Sequence, residues 1–140
     1  MDRILGIDYG DSRTGIAVSD LMGWTAQGLE TISYKGNMNM LLKRIGEIIN
    51  EYSIKTVVIG YPRNLNGTVG PRAIKTEEFI NVLIDKFNVD VIKWDEWLST
   101  VSAHRDMNDM GIKKSKKRGL VDTIAAVHIL QNYLDANSNK

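Results

Sequence analysis

The sequence predicts an α/β domain built on a five-stranded mixed sheet with helices on both faces. Its first part contains three strand-like segments joined by short turns, which is typical of an antiparallel meander. From residue 38 onward, apolar residues recur at intervals of three and four, and helical segments alternate with two short β-branched strands. A meander followed by alternating strands and helices is typical of a mixed sheet that is covered on both sides.

The opening hairpin is the clearest element of this pattern. Strands are predicted at 3–9 and 14–19, and the gap between them is too short for a crossover connection, so the pair should be antiparallel. Gly10 and Gly15 are expected to supply the backbone freedom that such a turn requires. A third strand follows Gly23 and extends to Tyr34.

The remaining elements follow from apolar spacing and from capping residues. Pro71 suits the first position of a helix, and Ser99 is a candidate N-cap. The predicted elements are helix 38–52, strand 56–61, helix 71–87, strand 89–94, helix 99–111, a basic loop and helix 119–136. Residues 1–136 should form a single domain, and residues 137–140 a polar tail.

Composition narrows the class of protein. The chain of 140 residues has no cysteine, which excludes disulfides, thiolate nucleophiles and cysteine-based zinc sites. No apolar run approaches the roughly 20 residues of a membrane span, and no signal-peptide pattern is visible, so we expect a cytoplasmic protein without a membrane partner.

Positive charge is concentrated in one short run, although the net charge is only +1. Its members are Lys113, Lys114, Lys116, Lys117 and Arg118. The run is either a solvated loop or a contact for a nucleic-acid backbone.

Carboxylates stand where the predicted strands end. Asp8 closes the first strand, Asp95 and Glu96 close the last one, and Asp122 precedes two alanines that could let its helix approach the sheet. Such oxygen donors suit one or two Mg²⁺ or Mn²⁺ ions, which drive phosphodiester hydrolysis. Each acid also has an ordinary alternative: a turn residue for Asp8, an exposed turn for Asp95 and Glu96, and a first-turn helix acid for Asp122.

Other patterns in the sequence are weaker indications of a functional site. Gly10 and Gly15 have the spacing of a phosphate-binding P-loop, but Ile16 stands where the lysine is required, which excludes that motif. The polar loop before Pro71 ends at a helix N-terminus that could hold a phosphate beside Arg72, or it is an ordinary loop. Trp97 could stack on a base.

Four segments in order along the chain resemble the YqgF/RuvX family. They are Gly6-Ile7-Asp8-Tyr9-Gly10 with Arg13, Gly15 and Ala17; Gly60 to Gly67 with Gly70-Pro71; Asp95 to Thr100; and Val121-Asp122 with Ala125-Ala126 and Leu130-Gln131. This family of nucleases is described both as Holliday junction resolvases and as pre-16S rRNA nucleases.

The resemblance implies a ribonuclease H-like fold and a metal-dependent nuclease in which Asp8, Glu96 and Asp122 are the catalytic, metal-binding acids. Trp97 replaces an arginine that is usual in the family. Phosphate binding would then be weaker, or be supplied by Arg63, Arg72 or the basic run. Arg13 is a further candidate phosphate contact.

The leading hypothesis is an endonuclease in 5′-end processing of pre-16S rRNA, acting as a monomer or homodimer. Three alternatives stay open: a resolvase of branched DNA, a non-catalytic nucleic-acid-binding module, which Trp97 favours, and a nucleotide-hydrolysing domain of the actin type. The last is disfavoured because that architecture uses two lobes and this chain has the length of one.

Overall fold

A computed structural model describes residues 2–61, 70–95 and 114–137. Within that part of the chain there are five strands and three helices. They are β1 Ile4–Asp8, β2 Arg13–Ser19, β3 Ala26–Ser33, α1 Met38–Tyr52, β4 Thr56–Tyr61, α2 Pro71–Phe87, β5 Asp90–Asp95 and α3 Lys114–Asn137.

The five strands form one mixed sheet in the order β3-β2-β1-β4-β5. The meander is antiparallel, whereas β1 pairs with β4, and β4 with β5, in parallel. The predicted fold class is therefore confirmed. Because β1, β4 and β5 run in the same direction, they end at one edge of the sheet, and Tyr61 and Asp95 are paired there in register. We call this edge, where Asp8, Tyr61 and Asp95 end their strands, the carboxyl edge.

Helices cover both faces of the sheet. On one face, α1 and α2 pack their apolar stripes on strand residues such as Leu5, Ile7 and Ile59. On the other face, α3 packs against Ala17 and Val58. Successive strand residues alternate between the two faces, which explains why the central strands are apolar throughout.

The first two helices have the expected ends. The side chain of Asn37 caps α1 by accepting a hydrogen bond from the Met40 amide at 3.3 Å. Pro71 occupies the first turn of α2, as predicted. Ser53 and Asn88 end the two helices in the left-handed conformation.

The last helix is longer than its sequence pattern predicts. It begins at Lys114 rather than Gly119, so the residues Lys114 to Arg118 are helical and the predicted basic loop is wrong. Lysine and arginine are good helix formers, and a single interior glycine costs only about 1 kcal/mol, so Gly119 does not end the helix. The helix predicted at 99–111 lies outside the described residues.

No helix in the described ranges combines the length and the apolar character that crossing a lipid bilayer requires.

Candidate active site

Asp8 is a buried carboxylate at the carboxyl edge. It is the last residue of β1 and only 8% exposed. Two residues earlier, a Cβ placed on Gly6 would lie 2.8 Å from the Cβ of Leu130, so this side of β1 faces α3. Since residues two apart in a strand share a face, Asp8 also lies on the α3 side of the sheet.

Gly15 links Asp8 to Asp122. It pairs with Asp8 in register on β2, and a Cβ placed on it would lie 1.8 Å from the backbone oxygen of Asp122. The backbones of β2 and α3 are therefore in direct contact beside Asp8. The structure thus brings together two of the three predicted acids, although they are 114 positions apart in the sequence.

The role predicted for the two turn glycines is wrong. The glycines with positive φ in the described residues are Gly23 and Gly36, not Gly10 or Gly15. At Gly10, a Cβ would lie 2.4 Å from the carbonyl oxygen of Arg13. Both turn glycines are thus explained by close approach of another backbone rather than by an unusual backbone conformation.

Small residues bring α3 onto the sheet, as the sequence predicts. Ala126 is fully buried, and its carbonyl oxygen would lie 3.1 Å from a Cβ on Gly6. Asp122, Ala126 and Leu130 are four residues apart and form one stripe of the helix. Asp122 lies in the third turn of α3, so its interpretation as a first-turn helix acid is wrong.

The electrostatic environment of Asp122 is unusual for a carboxylate. Its Oδ2 atom forms an ion pair with Arg13 Nε at 3.0 Å, and its side chain is 17% exposed. That oxygen is buried and, among the described residues, meets no hydrogen-bond donor in good geometry. Burial raises the pKa of Asp122, and the charges of Arg13 and Arg72 oppose this effect only partly. This oxygen already faces one cation, Arg13, and because the pKa of Asp122 stays raised, a further positive charge would favour the ionised form.

We expect Asp122→Asn to raise the melting temperature at neutral pH by about 3 °C. The pKa of Asp122 is raised in the folded state, so its contribution to stability is present at low pH and lost as pH rises through the folded pKa. The Asn variant carries no such charge. Melting curves of both proteins from neutral to acidic pH should therefore converge on acidification. A variant less stable than wild type at neutral pH would show that the Arg13 ion pair outweighs the cost of burial.

Several predicted site residues cannot be placed beside these two acids. Glu96, Trp97, Arg63 and Lys113 lie outside the described residues. Across residues 2–61, 70–95 and 114–137 there is no group of three acidic or histidine side chains that could hold a metal ion. The three-carboxylate site thus stays a prediction.

The basic residues are placed through the backbone of α3. Lys114, Lys116, Lys117 and Arg118 occupy its first two turns, on the amino-terminal side of Asp122. Lys114 and Arg118 precede Asp122 by eight and four positions along the helix. The basic run therefore forms the start of α3, before the turn that carries Asp122.

An open cleft of about 580 Å³ lies beside Asp122. Its lining residues are Gly10, Asp11, Ser12, Arg13, Ser33, Lys35 and Asp122. No sequence motif points to Ser33 or Lys35 as site residues. The available signal is the meander itself, because an antiparallel pairing of β2 and β3 places Ser33 opposite Arg13.

Residues 2–136 match the sequence model of the family RuvX, described as Holliday junction resolvase. The chain belongs to the RuvX family. Two relatives carry the name "Putative pre-16S rRNA nuclease". One, from Ruminiclostridium cellulolyticum, is 63% identical over 133 residues, which cover 95% of this chain and 94% of the relative. The other, from Bacillus subtilis strain 168, is 44% identical over 135 residues, which cover 96% of this chain and 98% of the relative.

Two solved structures share the fold of this RuvX protein. Thermus thermophilus RuvC in complex with a Holliday junction substrate has a TM-score of 0.58 at 15% identity, with 99% of this chain and 97% of that chain covered. Fowlpox virus resolvase with Holliday junction DNA has a TM-score of 0.55 at 14% identity, with 96% of this chain and 97% of that chain covered. These matches confirm the ribonuclease H-like fold.

Proposed function

We propose that this RuvX protein is a metal-dependent endonuclease that hydrolyses phosphodiester bonds in pre-16S rRNA, in the cytoplasm. The observation that carries the proposal is the meeting of Asp8 and Asp122 across Gly15 at the carboxyl edge. In α/β sheets, ligands bind outside the carboxyl ends of the parallel strands. The names of the 63% and 44% identical relatives support the choice of rRNA.

The acidic residues fit a divalent cation. Asp8 and Asp122, together with Glu96, would hold one or two Mg²⁺ or Mn²⁺ ions, since carboxylate oxygens are the ligands these ions prefer. The buried Oδ2 of Asp122 supports this assignment, because a nearby cation favours the charged form that burial disfavours. When bound there, such an ion would supply activation of a water nucleophile and neutralisation of the charge on the leaving oxygen.

Arg13 has two roles in this proposal. Its ion pair would hold the Asp122 carboxylate in place. Its own side chain remains 37% exposed, so it can also contact a substrate phosphate. Arg72 lies in the first turn of α2, and its positive charge acts on Asp122. It would contact the same strand of the nucleic-acid substrate. Burial of Asp8 keeps most water away from its carboxylate.

The remaining nucleic-acid contacts are assigned to the basic residues. Lys113, Lys114, Lys116, Lys117 and Arg118, together with Arg63, would bind the phosphate backbone, so affinity should fall as salt rises. Trp97 would stack on a base.

A second candidate function is the resolution of branched DNA, which the description of the RuvX family favours. The experiment that separates the two is cleavage of a pre-16S rRNA fragment and of a four-way DNA junction, side by side, in Mg²⁺ and in Mn²⁺. We expect cleavage of the RNA. Cleavage of the junction alone would establish the second candidate, and salt-dependent binding without cleavage of either would indicate a non-catalytic module.

A further inference from the structure

We propose that Lys35 and Ser33 form a phosphate-binding subsite next to the Asp8 and Asp122 site. The subsite would hold the backbone of the substrate strand at a fixed distance from the cleaved bond. This inference rests on the proposed nuclease function and identifies a part of the substrate path that the acids and the basic helix do not cover.

The register of the meander places the subsite. Asp8 pairs with Gly15, and Gly15 pairs with Thr31, so one row of residues crosses from β1 to β3. Two residue pairs further along the same ladder, and on the same face, Arg13 pairs with Ser33. Because Arg13 contacts Asp122, its cross-strand partner Ser33 lies on the same α3 side of the sheet.

The distance suits a short stretch of nucleic acid. Neighbouring strands are about 4.8 Å apart, so β3 lies roughly 10 Å from β1. A nucleotide strand advances by about 3.4 Å per nucleotide along a duplex axis, and consecutive phosphates lie farther apart than this, so the distance spans at most about three nucleotides. The subsite would therefore contact a phosphate close to the scissile one, on one side of it.

The backbone around Lys35 is held in place. The amides of Tyr34 and Lys35 both donate to the carbonyl oxygen of Ser12, at 2.9 and 3.1 Å. The buried Tyr34 donates its hydroxyl to the carbonyl oxygen of Gly10. Lys35 itself has a φ of 49°, in the left-handed region, and its side chain is exposed. These bonds fix the start of an exposed cationic side chain at the rim of the cleft.

Charge pairing leaves Lys35 available for a ligand. Asp11 is paired with Lys75 at 3.5 Å, and Asp122 is paired with Arg13. Among the described residues, Lys35 has no ion-pair partner. A lysine ammonium beside a serine hydroxyl in an open cleft matches the oxygens of a phosphodiester, which accept both kinds of hydrogen bond.

The test compares Lys35→Gln with Lys43→Gln, a control that removes the same charge from an exposed position on α1. The probe is a short single-stranded RNA carrying a mapped cleavage site, or the four-way junction if only that is cut. We expect Lys35→Gln to raise Kd about fivefold, to lower the salt slope of binding by about 1 and to leave kcat unchanged. Lys35→Arg should restore binding, and Lys43→Gln should match wild type.

Methylphosphonates placed at single linkages of the probe give a sharper result. Each removes one phosphate charge. At one linkage, within about three nucleotides of the cleaved bond, the loss should not add to that of Lys35→Gln. Additive losses at every linkage, or a Lys35→Gln variant that binds like Lys43→Gln, would overturn the subsite while leaving the nuclease assignment intact. A wild-type protein that neither binds nor cuts RNA or the junction would instead overturn the proposed function.

Discussion

Asp8→Asn should reduce metal-dependent cleavage by at least about 10³-fold, equivalent to about 4 kcal/mol of transition-state stabilisation. The amide keeps the shape of the carboxylate but cannot supply the negative charge that a divalent ion requires. Because Asp8 is a buried residue at a strand end, the neutral side chain should leave the fold intact. Single-turnover cleavage of the preferred substrate, with circular dichroism to confirm folding, measures the effect.

The matched control is Asp11→Asn, which removes the same charge three residues away. The Asp11 side chain is 70% exposed and is paired with Lys75. We expect its cleavage rate to stay within about threefold of wild type, since an exposed ion pair contributes little. If Asp8→Asn cuts as fast as Asp11→Asn, Asp8 is not a metal ligand.

Gly15→Ala should destabilise the protein by about 3 kcal/mol or more, and lower the melting temperature by about 10 °C. The new methyl group would lie 1.8 Å from the backbone oxygen of Asp122, so either α3 or β2 must move. Since the obstacle is backbone rather than a flexible side chain, no rotamer change can relieve it. Cleavage should fall even where the variant is folded, because the helix that carries Asp122 is displaced.

Gly46→Ala is the control for Gly15→Ala. There, a Cβ would lie 2.9 Å from the Cε1 atom of Phe87, a ring at the end of α2 that can shift. Alanine also favours the helical conformation over glycine by about 1 kcal/mol, which offsets the crowding. Urea unfolding of both variants gives the comparison. Equal stabilities would contradict the close contact of α3 with β2.

The sequence predicts much of the fold because its patterns report which face of an element is buried. Alternation and helical spacing identify all the elements found in the described residues, and the direction of the strands places Asp8 and Asp95 at one edge. The resemblance to the RuvX family is confirmed by the match over residues 2–136. The start of α3 is mispredicted because a single interior glycine is not a reliable helix boundary.

Contacts between distant elements are harder to predict. The pattern shows that Gly15 is a glycine in a hairpin, but only the packed structure shows that the Asp122 backbone occupies the place of its side chain. The resemblance presents Arg13 only as a candidate phosphate contact, whereas the structure shows that it forms an ion pair with Asp122. Ser33 and Lys35 become part of the cleft through a strand register that no local motif encodes.

Divalent-ion binding followed by thermal unfolding tests the central claim most directly, because it requires no substrate. Wild-type protein titrated with Mn²⁺ and with Mg²⁺ should gain stability, by about 2.7 kcal/mol when the ion is at a hundredfold excess over its Kd. Asp8→Asn should show little or none of this gain, and Asp11→Asn should retain it. No shift in the wild-type melting temperature at saturating Mn²⁺, or an equal shift in Asp8→Asn, would contradict a metal site at Asp8 and Asp122.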